Sequence, residues 1–336
     1  MKQFLTALAE GQPLSRHEAE ESMHLLMRGE VSEVEMAAFL MGLRSRGETI
    51  EELTGFAQVM REYAVPIRCE DPDAIDVCGT GGDRSGTFNV STTVAFVCAG
   101  AGVTVAKHGN RSVSSLSGSA DVLQALGVKT ALEKEAVEYC LAEVGIAFIF
   151  APLFHPAMRH VMPVRRALGV KTFFNILGPL CNPAQVKRQL VGAFSKDVAH
   201  TMTEILARLG SQSVVAVHAH DGLDECSTST TTDIFRYQIG QNLVQESITP
   251  EQFGLQRIDP LLLKGGDAKE NAGILKAVLS GESGPPREIV LLNAAYALWT
   301  SGKYANVEAA FTAAKTSIDG GAALAKLNAL IRTSNR

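Results

Sequence analysis

The run Ile75-Asp76-Val77-Cys78 reads as a short β-strand, and Gly79-Thr80-Gly81-Gly82-Asp83 follows it directly. Residues 91–101 then carry a helical pattern, and Val103-Thr104-Val105-Ala106 reads as a second strand. The alternation continues outward. Helical patterns cover 120–126 and 133–144, and strand patterns cover Ile146-Ala147-Phe148-Ile149-Phe150 and Val214-Val215-Ala216-Val217. Strands alternating with helices imply a mostly parallel sheet covered by helices on both faces. The expected fold class is α/β. From residue 267 onward the pattern is helical again, with breaks near Gly284-Pro285-Pro286 and Gly320-Gly321. Cys226 opens a short Ser/Thr tract ending at Thr232.

The first 65 residues differ in character. Ser15 is followed by Glu18, Ser32 by Glu35 and Thr49 by Glu52. Each pair is a capping box: the hydroxyl accepts from an orphan N–H three residues on, and the glutamate accepts from the cap N–H. Apolar residues follow at helical spacing, as in Met36, Phe39, Leu40 and Leu43. A small helical N-terminal domain is expected.

Composition bounds the class. The 336 residues are 46% hydrophobic and 20% charged, ordinary for a globular protein of about two domains. The longest apolar run, 94–106, falls short of the ~20 residues of a spanning helix, and Glu10 arrives before a signal-peptide core could form. No membrane association is expected. Six scattered cysteines without a C-x-x-C pair argue against a zinc ribbon and for reduced thiols in the cytoplasm. A net charge of −5 argues against a nucleic-acid binder. Yet 144–196 contains no acid and seven cations (Arg159, Arg165, Arg166, Lys171, Lys187, Arg188 and Lys196), and 84–120 is also free of acids. Such stretches read either as anion-facing surface or as buried segments.

Polar loops follow four of the expected strands: the glycine loop, Lys107-His108-Gly109-Asn110-Arg111, Phe154-His155-Pro156, and Asp221-Gly222-Leu223-Asp224-Glu225. Ligands of open α/β sheets bind outside the carboxyl ends of the strands, so the four loops imply one crevice. The glycines allow close approach of backbone to a ligand, and the helix start near Asn89 and Ser91 suits phosphate. The spacing matches neither G-x-G-x-x-G nor a P-loop. Residues 107–119 offer a cation and hydroxyls for a phosphate and a sugar. Asp224 and Glu225 read either as a solvated turn or, opposite phosphate-type loops, as holders of Mg²⁺. His108 and His155 read as acid–base groups or as packed histidines. Arg165 and Arg166 are adjacent on a helical run, so they cannot both point the same way.

These motifs, with Asn89-Val90-Ser91-Thr92, His155-Pro156-Ala157-Met158 and Phe174-Asn175-Ile176-Leu177-Gly178-Pro179-Leu180, closely resemble the anthranilate phosphoribosyltransferase family of tryptophan biosynthesis. The resemblance runs along nearly the whole chain. It implies a helical domain of residues 1–70, joined by helices from about 163–183, and a large α/β domain of 71–336 with the nucleoside phosphorylase/phosphoribosyltransferase-like fold. It implies transfer of phosphoribose from 5-phosphoribosyl 1-diphosphate to anthranilate with Mg²⁺, in a cytoplasmic homodimer. By motif, the diphosphate donor would meet Gly79, Gly82, Asp83, Thr87, Asn89, Val90, Ser91, Thr92, Lys107, His108, Gly109, Asn110, Arg111, Ser112, Val113, Ser114, Ser115 and Ser119. Gly79, Asn110 and Arg165 would contact anthranilate, and Ser91, Asp224 and Glu225 would hold the metal. Lys107, Asp224 and Glu225 would act electrostatically in catalysis, with no base assigned. Cys181 stands where the family pattern has Thr, outside the binding motifs. A pyrimidine nucleoside phosphorylase-like enzyme would lack this combination of motifs. A non-catalytic nucleic-acid-binding relative should be basic and should have lost the glycine loop or the acidic pair.

Overall fold

The computed structural model describes residues 1–83, 85–111 and 116–336. Arg84, Ser112, Val113, Ser114 and Ser115 lie outside the described residues.

The chain opens with α1 (Lys2–Ala9), α2 (Arg16–Arg28), α3 (Glu33–Arg46) and α4 (Ile50–Glu62). All three expected capping boxes form, on Ser15, Ser32 and Thr49. The Thr49 box has a second use. Glu52 is buried and also accepts from Leu14 N at 2.8 Å and from Arg46, which pins the α1–α2 connection to α4.

The sheet begins with β1 (Ile75–Gly79), followed by α5 (Val90–Gly100), β2 (Val105–Gly109), α6 (Ser119–Ala125), α7 (Lys134–Val144) and β3 (Ile146–Phe150). Three helices, α8 (Ala151–Phe154), α9 (Met162–Leu168) and α10 (Phe174–Leu177), then lead to β4 (Arg188–Gly192), α11 (Lys196–Arg208) and β5 (Ser213–Ala219). An antiparallel pair, β6 (Thr232–Gln238) and β7 (Val244–Ile248), closes one edge. The chain ends in α12 (Ala268–Leu279), α13 (Pro285–Thr300), α14 (Val307–Asp319) and α15 (Ala322–Ser334). Strand order is β3-β2-β1-β4-β5-β6-β7, and β3 through β5 are parallel. The mostly parallel sheet is as expected.

Period-two alternation divides the apolar side chains between two cores. Val215, Val217 and Leu190 face one, with α5, α7 and α12–α15. Val214, Ala216 and Val191 face the other, with α11 and the N-terminal helices. That second core also takes Val161, Val164, Phe173, Phe174, Leu177, Leu180 and Cys181. Phe56 stacks on Phe173 at 4.4 Å between centroids, and Arg61 Nε donates to the Leu180 carbonyl at 2.7 Å. Residues 161–181 are therefore packed on the helical bundle, although they leave from β3 and return to β4.

Two expectations need correction. The second strand runs over 105–109 and not 103–106, so Lys107, His108 and Gly109 are strand residues and not a loop. The central strand β4 carries no sequence signal, because Arg188 and Gln189 open it. Tertiary contacts satisfy both: Arg188 pairs with Asp73 at 3.0 Å, and Gln189 Nε2 donates to the Pro179 carbonyl at 2.9 Å.

Candidate active site

Connections from β1 run through β2 to β3 on one side, and β4 and β5 lie on the other. The strand order therefore reverses between β1 and β4. Such a switch point opens a crevice above the strand ends. Here two glycines face each other across it, Gly79 of β1 and Gly192 of β4. Asp224 fills the space they leave. A Cβ on Gly79 would stand 2.8 Å from Asp224 Oδ2, and one on Gly192 would stand 1.7 Å from the Asp224 carbonyl oxygen. Gly81, at φ 63°, turns its N–H onto Asp224 Oδ2 at 3.0 Å.

The loop carrying Asp224 and Glu225 is anchored from below. Cys226 N donates to Asn293 Oδ1 at 2.7 Å, and Asn293 Nδ2 returns a bond to the Cys226 carbonyl at 2.9 Å. Ser227 Oγ holds Asp221 at 2.8 Å. Asp224 and Glu225 are half-buried, not free on the surface. Burial, then the neighbouring Asp83, pushes the Asp224 carboxyl up to about 7. Burial and Asp224 push Glu225 well above the usual range, while Lys107 and the Ser91 N–H act against that. Among the described residues no group of three or more His, Cys, Asp or Glu side chains can hold a metal ion by itself. Two carboxylates and a hydroxyl, all hard oxygen donors, still suit Mg²⁺, which commonly takes its other ligands from phosphates and water.

Lys107 lies beneath this pair. It is buried, and its Nζ donates to the Val77 carbonyl at 2.5 Å and to Ser91 Oγ at 3.3 Å. Burial lowers its pKa, and Asp76, Cys78 and Glu225 raise it. β1 and β2 pair at Ile75 opposite Val105. Beyond that point side chains take the strand groups. Asp76 Oδ1 accepts from His108 N at 3.1 Å, and Asn182 Nδ2 donates to Asp76 Oδ2 and to the Ala106 carbonyl, both at 2.8 Å.

Helix α5 starts above Lys107. Asn89 is its N-cap, yet the Asn89 side chain does not cap it. The Asn89 amide is spent elsewhere: it donates to the Ser117 carbonyl at 3.3 Å and accepts from Asn271 at 3.1 Å. Val90 and Thr92 are buried, and the Thr92 hydroxyl has no partner among the described residues. Thr87 Oγ1 lies 3.1 Å from Ser85 Oγ, and Asp83 Oδ1 accepts from Ser85 N at 3.4 Å. Farther along, Arg111 is paired with Asp121 at 3.2 Å, and Ser119 Oγ donates to the Asn110 carbonyl at 3.1 Å. A Cβ on Gly109 would meet Ser119 Oγ at 2.5 Å. Ser112, Val113, Ser114 and Ser115 lie outside the described residues.

His108 points to the other face of the sheet. Its ring sits 5.2 Å from that of His155, and Nδ1 is 3.2 Å from the Gly178 carbonyl. Burial holds His108 down to about 3 and His155 to about 4. Both are packed imidazoles whose neutral form burial favours. Arg165 is half-buried with its guanidinium 5.2 Å from the Phe174 ring centroid, while Arg166 is exposed. Among the described residues Arg165 has no ion pair and no hydrogen bond to Gly79 or Asn110. The three expected anthranilate residues thus come from separate elements without direct contact.

The crevice joins four separate segments of the expected site: the glycine loop, Ser91, Lys107 and the Asp224–Glu225 pair. Gly192, Asn293 and Asn182 were not expected. Gly192 carries one readable signal: β1, β2 and β4 all end in glycine, at 79, 109 and 192.

Residues 2–64 match the family described as "Glycosyl transferase family, helical bundle domain", and residues 71–324 match "Glycosyl transferase family, a/b domain". Anthranilate phosphoribosyltransferase of Salinibacter ruber is 59% identical, over 99% of this chain and 98% of the relative. The chain belongs to the anthranilate phosphoribosyltransferase family. Solved structures from this family superpose closely. The Thermus thermophilus enzyme gives a TM-score of 0.93 at 40% identity, covering 99% of both chains. The Saccharomyces cerevisiae enzyme, solved in complex with phosphoribosyl diphosphate and Mg, gives 0.90 at 28% identity, covering 99% of this chain and 97% of that one.

Proposed function

We propose that the protein transfers the 5-phosphoribosyl group from 5-phosphoribosyl 1-diphosphate to the amine of anthranilate, in L-tryptophan biosynthesis. The products are N-(5-phosphoribosyl)anthranilate and pyrophosphate. The observation that carries this reading is the switch-point crevice, where Asp224 seats against Gly79, Gly81 and Gly192. It sets two carboxylates beside a glycine loop and the N-terminus of α5, a combination suited to a metal-bound diphosphate.

The residues divide as follows. The backbone of Gly79, Gly82 and Asp83, with Thr87, Asn89 to Thr92, Lys107, Gly109 to Arg111 and Ser119, surrounds the donor, while His108 packs on the opposite face. Ser91, Asp224 and Glu225 hold Mg²⁺, which neutralises charge on the departing diphosphate when bound. Lys107 supplies fixed positive charge from below, buried where a charge acts strongly. Arg165, with no carboxylate partner among the described residues, meets the anthranilate carboxylate, and Gly79 and Asn110 also contact anthranilate. The C–N bond forms as the bond from the anomeric carbon to the diphosphate oxygen breaks, and the amine then loses a proton. An aryl amine is neutral at pH 7, so the site needs no strong base, and holding both substrates in line supplies much of the acceleration.

We assign residues 1–70, joined by 163–183, to one domain and 71–336 to the other, supported by the packing of 161–181 on the helical bundle. The same family reading makes the enzyme a cytoplasmic homodimer joined through the helical domain, without nucleic-acid or membrane partners. Among the described residues no helix is long and apolar enough to cross a membrane. The test is direct. Anthranilate fluorescence should fall on mixing with the donor, Mg²⁺ and enzyme, with one pyrophosphate released per anthranilate. Unchanged fluorescence, with phosphorolysis of a nucleoside instead, would reject the assignment.

A further inference from the structure

Lys171 belongs to the acid-free stretch, and none of the roles above uses it. It lies between α9 and α10, in the segment packed on the helical bundle: Val164 before it and Phe173 after it are in that core. Its side chain leaves this layer and crosses to the glycine loop. Nζ donates to the Gly82 carbonyl at 3.2 Å and stands 4.4 Å from the centroid of the Phe194 ring. Phe194 follows β4, and its N–H donates to Thr80 Oγ1 at 3.1 Å. The ammonium is therefore seated against segments that continue β1 and β4, the two strands flanking Asp224.

What holds Lys171 leaves its charge unspent. A carbonyl and an aromatic face fix a cation without neutralising it. No carboxylate pairs with it among the described residues, and the side chain is exposed. The neighbouring Thr172 buries its hydroxyl with no hydrogen-bond partner among the described residues. A Cβ on Gly82 would stand 3.0 Å from Nζ, so the glycine at this position also leaves room for the lysine.

We propose that Lys171 contacts the diphosphate of the phosphoribosyl donor from the helical-bundle side of the crevice, so that donor binding ties the two layers together. This rests on the donor reading given above. It differs from the role of Lys107, which is buried below the metal site and belongs to the sheet.

The test uses Lys171→Gln, Lys171→Arg and, as a matched loss of charge at the opposite end of β4, Lys187→Gln. Magnesium pyrophosphate binding is measured by calorimetry, and steady-state kinetics are measured with each substrate varied. Lys171→Gln should weaken pyrophosphate and raise the donor KM by about 10-fold, the low end for a charged hydrogen bond at an exposed site. The anthranilate KM and kcat should stay within about 2-fold, Lys171→Arg should restore most of the affinity, and Lys187→Gln should match wild type. The difference should shrink as salt is raised. Unaltered pyrophosphate affinity in Lys171→Gln, or a rise confined to the anthranilate KM, would overturn the proposal alone. Failure of the wild type to bind magnesium pyrophosphate would overturn the donor reading itself.

Discussion

Gly192→Ala is a one-carbon test of the switch-point geometry. The added Cβ would lie 1.7 Å from the Asp224 carbonyl oxygen and 2.8 Å from its carbon. Ordinary contact begins near 3.4 Å, so the carbonyl must retreat by about 1.7 Å. It cannot do so while Asp224 Oδ2 keeps its 3.0 Å bond to Gly81 N. Asn293 holds Cys226, two residues on, at 2.7 Å, so the displacement concentrates on Asp224 and Glu225. Overpacking of this kind costs about 1–3 kcal/mol, within the ~5–15 kcal/mol stability of a typical domain, so the variant should fold. A shift of an ångström or more in a positioned group can cost ~100-fold in rate. We expect kcat/KM for the donor to fall by about 100-fold or more, with the far-ultraviolet circular dichroism of wild type. Gly273→Ala in α12, where an added Cβ meets nothing within 4 Å, is the control and should be fully active and slightly more stable. Activity of Gly192→Ala within about 3-fold of wild type, with the same magnesium dependence, would refute the reasoning.

Arg165→Ala should raise the anthranilate KM by roughly 10- to 150-fold, the loss of one charged hydrogen bond or a pair of them, and leave the donor KM nearly unchanged; equal effects on both substrates would reject the assignment. Asp224→Asn with Glu225→Gln should abolish turnover and magnesium dependence while keeping the fold, and normal activity would remove the metal assignment. The same substitution has a stability consequence with a definite sign. A carboxyl raised from 3.8 to about 7 keeps a proton in the folded state that the unfolded chain has lost, so metal-free wild type should lose stability as pH rises through about 7, and the double variant should not. The histidines act in the opposite sense. Held to about 3 and 4 against 6.5 when unfolded, His108 and His155 should destabilise the fold as pH falls below about 6.5, and His108→Gln with His155→Gln should flatten that acid limb in chemical denaturation.

Much of this was legible where the determining physics is local. Capping boxes involve residues three apart, and all three formed as read. The glycine loop and the Asp-Glu pair were visible because each is a contiguous motif at a strand end. Where partners are distant, the sequence misled. Lys107 and His108 look like loop residues because they are polar. They are strand residues because Ser91, Val77 and Gly178, far away in the chain, satisfy them. Arg188 and Gln189 hid the central strand β4 for the same reason. Gly192 is required by a carbonyl 32 positions away, and no local pattern encodes that. The choice between Arg165 and Arg166 also needed tertiary packing, since only the burial of Arg165 beside Phe174 distinguishes the two.

The most direct test of the central claim is a crystal structure of the protein with 5-phosphoribosyl 1-diphosphate and Mg²⁺. The account predicts the diphosphate against the glycine loop and the start of α5, with Mg²⁺ bridging it to Asp224 and Glu225 between Gly79 and Gly192. Donor density elsewhere on the molecule, or a metal that touches neither carboxylate, would contradict it.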